Sequence, residues 1–153
     1  MNSRAIVNGL AGFTAVGIIV YWTSVFLGAF VIPELVPGYR VWFFSFPLPD
    51  AWIAGCAAAT VWFNCQRREL GALFGILTGS SLIFLGLYAL LYGINTGLLF
   101  QLTVDELIEI AIKLYCLGAG TLLIVQSWRL RTATAQVSLI PGAGTYYQSG
   151  EQG

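Results

Sequence analysis

Asp105, Glu109, Lys113 and Cys116 follow one another at spacings of four, four and three. On an α-helix that spacing stacks them along one face. A carboxylate followed four residues later by an ammonium can form an ion pair, and Glu before Lys is the favourable order. Asp105 and Glu106 open the same segment, where carboxylates complement the positive end of the helix dipole, and both read as surface residues. The surrounding run, 104–128, is otherwise largely apolar. A lone charge deep in such a helix costs at least about 2.5–3.5 kcal/mol on membrane-insertion scales, so Glu109 and Lys113 are expected to face inward and pair. Two roles are open to that pair. It is a structural staple that sets the register between neighbouring helices, or it is the centre of a polar pocket. The Lys113 stem is also long enough to reach back toward an interface beside Glu109.

The pocket reading draws in further residues. The preceding apolar segment carries a stripe of Thr78, Ser81, Tyr88, Tyr92 and Asn95. If that segment runs outward and the next returns, Tyr92 and Asn95 share a level with Asp105, Glu109 and Lys113. The proline- and aromatic-rich stretch 33–49 brings Glu34, Arg40 and Asp50 to the same end. It is expected to lie in the membrane interface or to form a lid over an outer cavity. The predicted binding set is therefore Glu109, Lys113, Tyr92, Asn95, Asp105, Glu34, Asp50 and Arg40.

A different face of the same segment carries Gly71, Gly75, Gly79 and Gly86. Small residues four apart let two backbones approach closely, a main source of helix association in lipid. Ala54, Gly55, Ala57, Ala58 and Ala59 offer a complementary small surface, and Gly9, Gly12 and Gly17 another. The ridge packs either within the chain or against a second copy.

Other chemistries are excluded by absence. The chain has no histidine and its single methionine is Met1, which removes the usual haem ligands, the commonest zinc ligand and any Ser-His-Asp or Cys-His catalytic arrangement. No catalytic residue, metal or cofactor is assigned. Cys56, Cys65 and Cys116 form no CxxC pair, and the two inside apolar runs, Cys56 and Cys116, read as packing residues. Seven basic and seven acidic residues give no net charge, so there is no basic field to collect nucleic acid.

The elements that must position these groups follow from composition. Of 153 residues, 58% are hydrophobic and 9% charged, and mean hydropathy is +0.80. A soluble domain carries roughly 25% charged residues. A chain with so few must face lipid. Four apolar stretches, 6–32, 49–66, 70–94 and 104–128, are each read as a membrane-spanning helix, since about 20 apolar residues cross the hydrocarbon layer. The first is too long for a signal-peptide core and is expected to be retained. The predicted fold is an all-α, antiparallel four-helix transmembrane bundle over 1–131, with a polar tail at 132–153. Arg4, Arg67, Arg68, Arg129 and Arg131 fall on one side of that arrangement and Arg40 on the other. The excess of basic residues marks the cytoplasmic side, which puts both termini in the cytoplasm of a plasma or inner membrane. Composition favours a non-enzymatic accessory or structural subunit, associating with the lipid bilayer and with other membrane subunits or itself. The alternatives are a small transporter or ligand-binding protein using the outer pocket, and an enzyme acting on a lipid or quinone.

Overall fold

The computed structural model describes residues 3–29, 32–101 and 104–138, without the side chains at 104–105 and 133–138. The described residues are helical and contain no strand. Four long helices, α1 (Ser3–Phe26), α3 (Pro47–Cys65), α4 (Leu70–Thr96) and α5 (Val104–Ser138), are joined by a short α2 (Tyr39–Phe43) and a 3-10 turn at Leu98–Phe100. Among the described residues, three helical segments are long and apolar enough to cross a membrane: Ser3–Phe26, Leu70–Thr96 and Glu106–Thr132. The protein is membrane-embedded.

The first helix is shorter than its apolar composition predicts. It stops at Phe26 although apolar residues continue to Ile32. Gly28 takes a left-handed φ of 74°, its amide bonds Val25 O at 3.0 Å, and the Ala29 amide reaches back to Ser24 O at 3.0 Å. This pair of reversed bonds satisfies the last carbonyls and ends the helix. The third helix starts two residues earlier than expected, with Pro47 in its first turn, where a missing N–H costs nothing. The last helix continues to Ser138, through the start of the segment read as tail; positions 139–153 of that tail lie outside the described residues.

The long helices pack in a ring: α1 on α3, α3 on α4, α4 on α5 and α5 on α1. Neighbours run in opposite directions. Asn64 near the end of α3 donates to Asn8 near the start of α1 at 2.8 Å, while Asp50 at the start of α3 meets Trp22 near the end of α1. Along α4, Gly75 faces Ser127, Gly79 faces Gly120 and Gly86 faces Cys116. A Cβ on Gly79 would lie 2.6 Å from the Gly120 carbonyl, and one on Gly120 would lie 2.7 Å from that of Gly79. Only glycine permits this backbone contact.

The glycine ridge is thus buried within the chain. Gly71 packs on Asn64 of α3, but the rest faces mainly α5 rather than the alanines of α3. Of those alanines, Ala57 joins Val7, Ala11 and Ala15 of α1 in the central apolar cluster. A second cluster, Trp22, Val25, Tyr39, Phe43 and Leu98, closes the end of the ring beneath α2. This stretch of aromatic residues therefore roofs the helices.

Candidate functional site

Lys113 is 4% exposed and bridges two carboxylates of its own helix. Its Nζ lies 2.9 Å from Glu106 Oε1 and 3.1 Å from Glu109 Oε2. Positions 106, 109 and 113 are separated by three and four residues, so one ammonium reaches both. Space for it comes from Gly93 of α4, where a Cβ would approach Lys113 Nζ to 3.3 Å. The expectation that Glu106 sits at the surface is overturned: it is 2% exposed. The shared ammonium offsets part of the cost of burying both carboxylates, which neither would recover alone in an apolar environment.

The Tyr39 hydroxyl of α2 donates to Glu109 Oε1 and ties the roof to this triad. Burial, followed by that bond to Glu109, pushes the Tyr39 phenol well above its ordinary range. Glu34 holds the other end of the roof by accepting from the Gly38 amide at 2.6 Å and the Arg40 amide at 3.2 Å.

Asp50 occupies the first turn of α3 and is 9% exposed. Trp22 Nε1 donates to its Oδ2 at 2.7 Å. Its other oxygen, Oδ1, is buried and has no hydrogen-bond partner among the described residues. Leaving such an acceptor unsatisfied costs about 1–3 kcal/mol, and more where the group is charged. The Trp22 ring that bonds this carboxylate packs with those of Tyr21 and Phe43, the three centroids lying 5.4–6.5 Å apart.

Asp50, Glu109, Lys113 and the rings of Trp22, Tyr21 and Phe43 border one cavity of about 550 Å³. Its polar lining includes Asp50, Glu109, Lys113, Thr14 and Tyr115; most of the remainder is aliphatic or aromatic. The Thr14 and Tyr115 hydroxyls are 2.8 Å apart and link α1 to α5 at one end. Beyond that link, Phe13 and Gly17 of α1 and Ile108 and Ile112 of α5 line the cavity and are also exposed on the outer surface. The cavity therefore opens sideways between α1 and α5. Gly17 has no atom within 4 Å of its Cβ position, so this mouth is kept wide by a missing side chain.

Of the predicted set, Glu109, Lys113 and Asp50 line the cavity. Tyr92 instead stacks on Trp42 with ring centroids 3.9 Å apart and planes inclined by 8°. Asn95, Glu34 and Arg40 are exposed. The Asp105 side chain lies outside the described residues. Sequence reasoning missed Glu106, Tyr39, Trp22 and Gly93. A signal existed for Glu106, since seven residues are two helical turns and return to the face of Lys113. None existed for Trp22 or Tyr39, which reach the site only through tertiary packing.

A buried carboxylate with a vacant acceptor, an ion-pair triad and an apolar chamber open to the side can hold an amphiphilic molecule by both its ends. Comparison with protein-family models, curated proteins and solved structures finds no match to this chain.

Proposed function

We propose that this chain is a four-span membrane protein that binds a lipophilic small molecule in the cavity between α1 and α5, as a carrier or receptor for it. The observation that carries this reading is the 550 Å³ chamber itself, with Asp50, Glu109 and Lys113 in its wall. A membrane helix bundle that served only as packing material would fill such a space with side chains. The sideways mouth suits a molecule dissolved in the bilayer. Purified protein in a mild maltoside detergent should retain a lipophilic molecule detectable by mass spectrometry of the extract. Gly17→Phe, which fills the mouth from an uncrowded position, should lose it. Equal recovery from both proteins would refute the reading.

Four crossings are supported by the position of α3. It runs antiparallel beside α1 from the Asn8–Asn64 contact to the Trp22–Asp50 contact and beside α4 on its other side. Its 19 residues extend about 28 Å at 1.5 Å per residue, near the thickness of the hydrocarbon layer. Trp52 and Trp62 near its two ends are exposed, as interfacial anchors are. Four crossings with the arginine-rich ends inward put both termini in the cytoplasm of a plasma or inner membrane. Cysteines introduced at positions 4 and 131 should then label from the same face; a three-span protein would label from opposite faces.

The accessory-subunit reading drew part of its support from the glycine ridge as a surface for other helices. Gly71, Gly75, Gly79 and Gly86 are buried against α3 and α5 of the same chain, which moves the balance toward ligand binding.

A further inference from the structure

Resting on the reading of the cavity as a ligand site, we infer that its ligand is a lipophilic monocation, an amine or quaternary centre carried on an apolar body, with the positive charge seated at Asp50.

The charge count points that way. Lys113 is the one basic residue lining the cavity among the described residues. It is already shared between Glu106 and Glu109. With these groups ionised, the triad alone carries one more negative than positive charge, and Asp50 adds another. A cation in the chamber offsets that excess, whereas an anion adds to it. The acceptor geometry agrees. Asp50 is buried, Trp22 occupies Oδ2, and Oδ1 has no partner. A carboxylate oxygen accepts and does not donate, so its natural complement is a cation or an N–H donor.

The walls agree independently. Trp22, Tyr21 and Phe43 line the same chamber as Asp50, and Trp22, which bonds Asp50, packs against the other two rings. Indole, phenol and phenyl faces attract a cation within about 6 Å of the ring centre, and a desolvated aromatic cage beside a carboxylate is how ammonium groups are recognised. The aliphatic part of the lining, Ile18, Leu82, Leu85 and Ile112, would take the apolar body. Neither the charge count nor the ring cluster depends on the other.

The test compares three probes of similar shape and different charge: tetraphenylphosphonium (cation), triphenylphosphine oxide (neutral) and tetraphenylborate (anion). Each is measured by equilibrium dialysis of the full chain in maltoside micelles against protein-free micelles. The expected result is that the cation binds at least about tenfold more tightly than the neutral probe, with the anion weakest. Asp50→Asn, which keeps an acceptor for Trp22, should erase the advantage of the cation over the neutral probe. Equal binding of cation and neutral probe, or tighter binding of the anion, overturns the inference and leaves the cavity reading standing. A cation preference that survives Asp50→Asn overturns the assignment to Asp50. Binding of none of the three overturns the cavity reading as well. If the variant is not recovered intact, the ranking in the unaltered protein still decides the charge preference.

Discussion

Trp22 Nε1 donates a 2.7 Å hydrogen bond to Asp50 Oδ2, joining the C-terminal part of α1 to the first turn of α3. The indole N–H serves a carboxylate whose other oxygen has no hydrogen-bond partner among the described residues. Trp22→Phe keeps an aromatic ring of smaller size and removes the N–H. Stability should fall by about 1–3 kcal/mol, read as a lower unfolding midpoint in detergent. An unchanged midpoint would mean that water enters and replaces the bond.

Lys113→Met removes the cation shared by Glu106 and Glu109. Breaking one side of a buried ion pair costs about 3–5 kcal/mol because the opposite charge is left uncompensated. Adding Glu106→Gln and Glu109→Gln to Lys113→Met should recover most of that loss, since neutral amides no longer need a counter-charge. Failure of the triple variant to regain stability, measured by the same unfolding assay, would show that the loss came from packing rather than charge.

Gly79→Ala should separate close packing from helix propensity. Its Cβ would sit 2.6 Å from the Gly120 carbonyl, a backbone atom that cannot rotate away. A loss of about 1–3 kcal/mol is expected from overpacking. Gly9→Ala meets nothing within 4 Å and should instead gain up to about 1 kcal/mol from reduced backbone entropy. Opposite signs in a thermal melt are the expected outcome; equal effects would rule out the α4–α5 contact as the cause.

Arg67 closes the α3–α4 hairpin with a left-handed φ of 55°, its amide bonding Asn64 O at 3.1 Å and the next amide bonding Phe63 O at 3.0 Å. A non-glycine residue held there stores about 1–2 kcal/mol. Arg67→Gly removes the strain but gains chain entropy in the unfolded state, so a net stabilisation of up to about 1 kcal/mol is expected. If the melting temperature falls instead, the guanidinium is making a contact worth more than the strain.

Much of the helical arrangement is legible from residue types because lipid imposes a simple rule on them. Leu70–Thr96 and Glu106–Thr132 stand out as long apolar runs. The end of α1 does not, because Leu27–Ile32 remains apolar while Gly28 turns the chain; hydropathy is blind to backbone dihedrals. In the site, Glu109 and Lys113 stand out because their charges are rare in an apolar run. Glu106 was misplaced because a carboxylate near a helix start has a simpler use as a dipole partner. Asn95 shares the helix with Tyr92 yet faces outward, and Arg40 lies on a roof helix whose buried face is taken by Tyr39 and Phe43. Which side of a short helix faces inward depends on what lies beneath it, and that is a tertiary fact.

If the cavity binds a bilayer-dissolved ligand as proposed, the open space at Gly17 gives that ligand a doorway reached from the hydrocarbon phase rather than from water. On that reading, occupancy would be governed by how strongly a solute accumulates in the bilayer. A modest intrinsic affinity would suffice for a molecule that concentrates there, while acyl chains of the surrounding lipids would compete for the same opening. Changing lipid composition should therefore shift apparent affinity without altering a single residue of the protein.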